Sequence, residues 1–130
     1  MDLRTYTQIG IIADGSGTAA AEGSAKRDFM AFPLAVRKDL GVALFVVQIG
    51  GTPASAKPWK GLGPGVYELV DDHRGDTYRA VYTLRIAGNV HVLHAFQKKS
   101  KSGIKTPKPD VHLIERRLKG VLARYGERRS

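Results

Sequence analysis

The residues best equipped for chemistry in this sequence are positive ones gathered where strands end. Arg79, Lys98 and Lys99 form the centre of the group, and Lys57, Lys60, Lys101 and Lys105 lie on the segments flanking it. Cations held in place before a reaction stabilise the charge that builds on phosphorus and on a departing oxygen when a phosphodiester is cut, without a metal. Arg79 offers a planar fork for two phosphate oxygens. A lysine or tyrosine of lowered pKa can exchange a proton with the attacking or leaving oxygen. Tyr82 and His94 are the other proton-transfer candidates. Each also has a plainer reading, Tyr82 as a core aromatic with a satisfied hydroxyl and His94 as a hydrogen-bonded core histidine.

The composition favours a polyanionic partner. Lys and Arg number 21 against 12 Asp and Glu, a formal net charge of +9, and the sequence pI is near 10.0. Neutralising phosphates and releasing their counterions is the most direct use of such an excess, so nucleic acid leads and an acidic protein partner comes second. Lys98, Lys99, Lys101, Lys105 and Lys108 follow one apolar run closely enough to form a phosphate track.

Other chemistries find little support. There is no cysteine, which excludes disulfides and thiolate zinc sites and suits a reducing cytoplasm. His73, His91, His94 and His112 lack the short helical spacings that bring metal ligands together, so no metal is expected. Gly61-Leu-Gly63-Pro-Gly65 resembles a phosphate loop only superficially, because no lysine-hydroxyl pair follows and a strand comes next. No cofactor is expected. The apolar run 42–47 is far too short for a membrane span, and the start lacks the basic region and apolar stretch of a secretory signal; a cytoplasmic protein with no membrane contact is the expectation.

The elements that must position these residues can be read from periodicity. Residues 1–24 are rich in Gly, Ala, Ser and Thr, with an apolar patch at Ile9, Ile11 and Ile12 that suits a short strand followed by a mobile loop. Residues 25–130 read as one compact domain. Ser24 can cap a short helix through Phe32, and Pro33 suits the first turn of a second, whose buried stripe is Val36, Leu40, Ala43, Leu44 and Val47; Gly50 and Gly51 end it. Proline and glycine make 52–65 a loop, within which Trp59 tucks inward while Lys57 and Lys60 stay solvated in the plainer reading.

Runs 66–70, 77–86 and 90–96 read as a three-stranded meander, with turns at 71–76 and 87–89. Alternation places Tyr78, Ala80, Tyr82, Leu84 and Ile86 on one face of the middle strand, and Arg79, Val81, Thr83 and Arg85 on the other. Past Pro107 and Pro109, Val111, Ile114, Leu118, Val121, Leu122 and Tyr125 mark the buried stripe of an amphipathic C-terminal helix. The fold class is α+β: an N-terminal helical hairpin packed on a twisted antiparallel sheet, with that helix at the end.

From about Ala25 to Tyr125 the chain resembles the phage-derived HigB-like toxins of the RelE/ParE superfamily. The match is carried by Tyr78-Arg-Ala-Val-Tyr82, by Val92-Leu-His-Ala-Phe-Gln-Lys-Lys-Ser100 and by Lys105-Thr-Pro107, with Ala56-Lys-Pro-Trp-Lys-Gly61 similar to the family's Lys-Gly loop. The resemblance implies a helical hairpin on an antiparallel sheet and a toxin of a type II toxin-antitoxin system. Such a toxin is a ribosome-dependent endoribonuclease that cuts messenger RNA in the decoding site, with the neighbouring 2′-hydroxyl as nucleophile. By motif position Arg79 matches the family's strand arginine, Lys98 and Lys99 its basic pair, and Lys60 its loop cation. Messenger and ribosomal RNA, and a helix-turn-helix antitoxin, are the implied partners.

The sequence departs from many RelE-type members at 66–70, where Tyr67 and Glu68 stand in place of lysines. Glu68 can act as a base, but on an edge strand a solvated carboxylate is the plainer expectation. Two alternatives stay open: a non-enzymatic inhibitor resembling ParE, which binds gyrase, and a phage remnant that only binds an antitoxin or nucleic acid.

Overall fold

A computed structural model describes residues 19–98 and 106–126. The strand expected around Ile9, and Lys99, Lys101 and Lys105, lie outside the described residues. In chain order the elements are β1 (Ala19–Ala21), α1 (Ala25–Met30), α2 (Leu34–Gln48), β2 (Ala56–Pro58), β3 (Val66–His73), β4 (Asp76–Ile86), β5 (Asn89–Lys98) and α3 (Lys108–Tyr125). The α+β reading, with its helix pair, meander and closing helix, matches this order. The sheet runs β1-β5-β4-β3-β2, antiparallel except where β1 adds in parallel to β5.

The helix pair begins at Ser24, which occupies the N-cap position but donates its hydroxyl to the Asp28 carboxylate at 2.9 Å instead of accepting from a backbone N–H. Pro33 stands at the N-cap of α2, one residue outside the expected first turn, with its ring fixing φ at −54°. The five residues of the expected α2 stripe are buried. They pack with Leu69, Tyr78, Ala80, Tyr82, Val92 and Ala95 from one face of the sheet. Full burial of a large apolar side chain stabilises by roughly 1.5–3 kcal/mol, so this layer is a principal source of stability.

Helix α3 covers the opposite face. Ile114, Leu118 and Val121 pack on Val66, Val81, Ile86, Leu93 and Phe96, and Trp59 and Leu62 fold over the same cluster. The sheet is therefore a middle layer with helices on both sides. Along the flank of α3, Asp110, Arg117 and Arg124 recur every seven residues, and each makes a polar contact with the β5–β1 side. Asp110 meets His94 at 2.8 Å. Arg117 donates to the Leu93 carbonyl and to Ser24 Oγ, both at 2.8 Å, and Arg124 donates to Glu22. Glu22 also faces the buried His91 ring at 3.3 Å, and this hydrogen bond is the chief reason its carboxyl is held below the ordinary range. Gly23 takes φ +55°, a conformation that favours glycine, where the Arg117 guanidinium passes 2.9 Å from the position of a Cβ.

Three local expectations are corrected. The loop 52–65 contains β2, which pairs with β3 through Ala56↔Leu69, Lys57↔Glu68 and Pro58↔Tyr67. Hence β3 is not an edge strand. The hairpin turn tightens to Arg74 and Gly75, both at positive φ, so β3 and β4 extend into the expected turn as far as His73 and Asp76. Alternation in β4 fails after Thr83, where the pairing with β5 shifts register, and Ile86 joins the α3-side cluster while Tyr82 stays on the α2 side.

Candidate functional site

The position of Lys98 depends on an irregularity in β5. Val81 pairs with His94 and Tyr82 with Val92, so Leu93 is an extra residue opposite the β4 ladder. Leu93 joins the α3-side cluster, as Phe96 does, while Val92 and Ala95 belong to the α2 side. The bulge reverses the facing of every later residue in β5. Thr77↔Lys98, Arg79↔Phe96 and Val81↔His94 then stand as three cross-strand pairs on the α3 face.

Arg79 is ion-paired through Nη1 to Glu68 Oε1, with side-chain exposures of 19% and 11%. The carboxylate expected to be solvated is instead buried, because β2 covers the strand that carries it. Arg79 Nε is buried and has no hydrogen-bond partner. The arginine is thus anchored at one end with donor capacity left over. Lys98 lies near enough to feel both groups. Its pKa is lowered, first by burial and then by the Arg79 charge, while Glu68 opposes the shift. Lys57 sits opposite Glu68 on β2 and is exposed, as is Lys60.

The remaining expected residues are placed elsewhere. Tyr82 lies across the sheet from Arg79, stacked on Tyr67 with ring centroids 6.0 Å apart. Burial pushes its hydroxyl up to about 12, so it stays protonated near neutrality. His94 shares the face of Arg79, but its Nε2 is held by Asp110 at the start of α3 and its ring stacks on Phe96. These contacts tie the two ends of the 99–107 connection together. The structure therefore brings Arg79, Lys98 and Glu68 together, places Lys57 beside them on β2, sets His94 at the margin and separates Tyr82.

The sequence pointed to Glu68 as a possible base but not to its burial, and it did not point to Asp110. Glu68 was visible as an acidic residue in an otherwise apolar and aromatic strand; its burial depended on recognising β2. Asp110 stands in the first turn of an amphipathic helix, where an acid complements the helix N-terminus without any further role, so no sequence signal pointed to His94. Among the described residues, no group of three or more His, Cys, Asp or Glu side chains is placed to hold a metal ion, and no helix is long and apolar enough to cross a membrane.

A sheet layered between helices, with an arginine, a lysine and a buried carboxylate converging on one face, defines a small basic α+β protein. Residues 27–119 match the model for the family described as phage derived protein Gp49-like (DUF891). The chain belongs to this phage-derived family, which is of the RelE/HigB toxin type. No curated protein matches it.

Proposed function

We propose that the chain is the toxin of a type II toxin-antitoxin pair and an endoribonuclease that cuts messenger RNA on the ribosome. The observation that carries this reading is the convergence of Arg79, Lys98 and Glu68 on the α3 face of the sheet. Family membership and the net charge of +9 support it.

In this mechanism Lys98 and the guanidinium N–H groups of Arg79 that Glu68 leaves free hold the scissile phosphate. Glu68 accepts the proton of the adjacent 2′-hydroxyl as its oxygen attacks phosphorus. The bond from phosphorus to the 5′-oxygen breaks, and Lys98, whose lowered pKa eases proton release, protonates the leaving oxygen. The products are a 2′,3′-cyclic phosphate and a 5′-hydroxyl. Lys57 and Lys60, together with Lys99, Lys101 and Lys105, contact flanking phosphates and ribosomal RNA. A cognate antitoxin, of the helix-turn-helix type that the resemblance implies, covers the same surface, and the site of action is the cytoplasm.

Primer extension on messenger RNA after induction tests the reading. New 5′ ends are expected with the wild type and none with Arg79→Ala. Intact messages in cells whose DNA supercoiling is blocked would replace it with gyrase inhibition.

A further inference from the structure

Trp59 is the single tryptophan of the chain and directly follows β2. Its backbone N–H donates to the Val66 carbonyl at 2.9 Å, which continues the ladder begun by Lys57↔Glu68 and keeps Trp59 and Lys57 on one face of the sheet. That is the face of Arg79, since the indole packs against the α3-side cluster that includes Val66, and Glu68 pairs with the arginine. The packing is partial. Val81 and Ile114 at the centre of the cluster are fully buried, whereas Trp59 stays half-exposed at its rim.

The surroundings of the indole are cationic and open. Among the described residues no ring and no cation stacks on it. Lys57 and Lys60, on either side of it in the chain, are exposed and make no ion pair among the described residues, because the carboxylate opposite Lys57 is committed to Arg79. Beyond Lys60, Gly61, Gly63 and Gly65 all take positive φ, and a Cβ at any of them would meet open space. Conformation accounts for these glycines, and their lack of side chains leaves room for another chain to lie along the loop.

We propose that Trp59 is a stacking platform for one base of the RNA whose scissile phosphate lies on Arg79 and Lys98, with Lys57 and Lys60 neutralising the phosphates on either side of that base. The assignment deepens the ribonuclease reading and rests on it. Single strands are held by cations along the backbone and by aromatic side chains on which bases stack, with little regard to sequence. A ring serving only the core would gain nothing from flanking cations. The reach is short: Arg79 pairs with Val70, and Trp59 bonds Val66, four residues along and two strands across. At about 3.3 Å per residue and 4.8 Å per strand the separation is roughly 16 Å, and a stacked strand rising ~3.4 Å per nucleotide covers it in about five.

Because Trp59 is the only indole, its fluorescence reports on the site directly. The full chain is titrated with a short 2′-O-methyl oligoribonucleotide, which lacks the attacking hydroxyl, and with its counterpart without bases. Quenching is expected with the first and not with the second, and the base-bearing strand should bind roughly tenfold more tightly. Trp59→Leu keeps an apolar group on the cluster and should erase that difference, read from the anisotropy of a labelled strand, while Trp59→Tyr should retain part of it. A merely structural tryptophan would change binding of both strands alike. No binding of the base-bearing strand, fluorescence unmoved at saturation, equal quenching by the two strands, or a preference that survives Trp59→Leu would each overturn the assignment. If the leucine variant fails to fold, the wild-type quenching and the tyrosine variant decide. The two readings fail separately: intact messages in induced cells would remove the ribonuclease while the quenching persists, whereas unmoved fluorescence in a protein that cuts RNA would remove the platform.

Discussion

Lys98 reaches the same side of the sheet as Arg79 because Leu93 is an extra residue in the strand that leads to it. His91 already faces α3, where its ring meets Tyr125 at 5.4 Å, so strict alternation from His91 would send Lys98 to the α2 side. Deleting Leu93 is therefore expected to abolish growth arrest on induction. The deletion also removes a fully buried side chain, with a loss on the order of 2–5 kcal/mol in denaturant unfolding. Leu93→Met, which keeps the bulge and nearly the same volume, should retain activity and cost less than about 1.5 kcal/mol. An active deletion variant would refute the dependence on the bulge.

Arg79→Ala should lower the rate of messenger cleavage by about 10²–10³, the usual effect of removing a fixed charge-stabilising donor. Arg79→Lys should recover only part of this, since a point charge cannot bridge two oxygens as a guanidinium does. Single-turnover cleavage on programmed ribosomes measures both.

Glu68→Gln separates base catalysis from electrostatic positioning. The amide keeps the shape and an acceptor for Arg79 but cannot take a proton near neutrality. Cleavage should fall while affinity for RNA holds or rises, because a negative charge has left the site. Weaker RNA binding with an unchanged rate of the chemical step would contradict the role given to Glu68.

Tyr82→Phe should leave cleavage unchanged. The ring lies on the far face from Arg79, and its hydroxyl, pushed up to about 12 by burial, stays protonated through the working range. A large loss of rate in a variant that melts normally would restore Tyr82 to the mechanism.

Asp71 makes a pH prediction. Burial, followed by a hydrogen bond and repulsion from Asp39, raises its carboxyl to about 6. A carboxyl whose folded pKa is raised binds its proton more readily in the native state, so its stabilising contribution is complete below about 4 and is lost as pH rises through about 6. Asp71→Asn should thus melt at a higher temperature than the wild type at pH 7.5, with the gap closing toward pH 4. A gap that widens on acidification would show the sign to be wrong.

Much of the fold was legible because its elements are marked by local chemistry. The α2 stripe, the proline at the start of that helix, the glycine pair after it and the 3.6-residue spacing of Ile114, Leu118 and Val121 all follow from interactions a few residues long. The short strand β2 was not legible. Three residues ending in proline look like loop, and only the partner Leu69–Glu68–Tyr67 segment makes them a strand.

The sequence by itself determined that this is a basic α+β protein with cations clustered around Arg79 and the end of β5, since composition and hydrophobic period do not depend on how distant segments meet. Tertiary structure decided which of those residues act together. The bulge at Leu93 turned Lys98 toward Arg79, β2 sealed Glu68 against that arginine, and Asp110 drew His94 to the helix that follows. Each outcome depends on pairing between strands or helices far apart in the chain, where a one-residue change of register reverses every side chain beyond it.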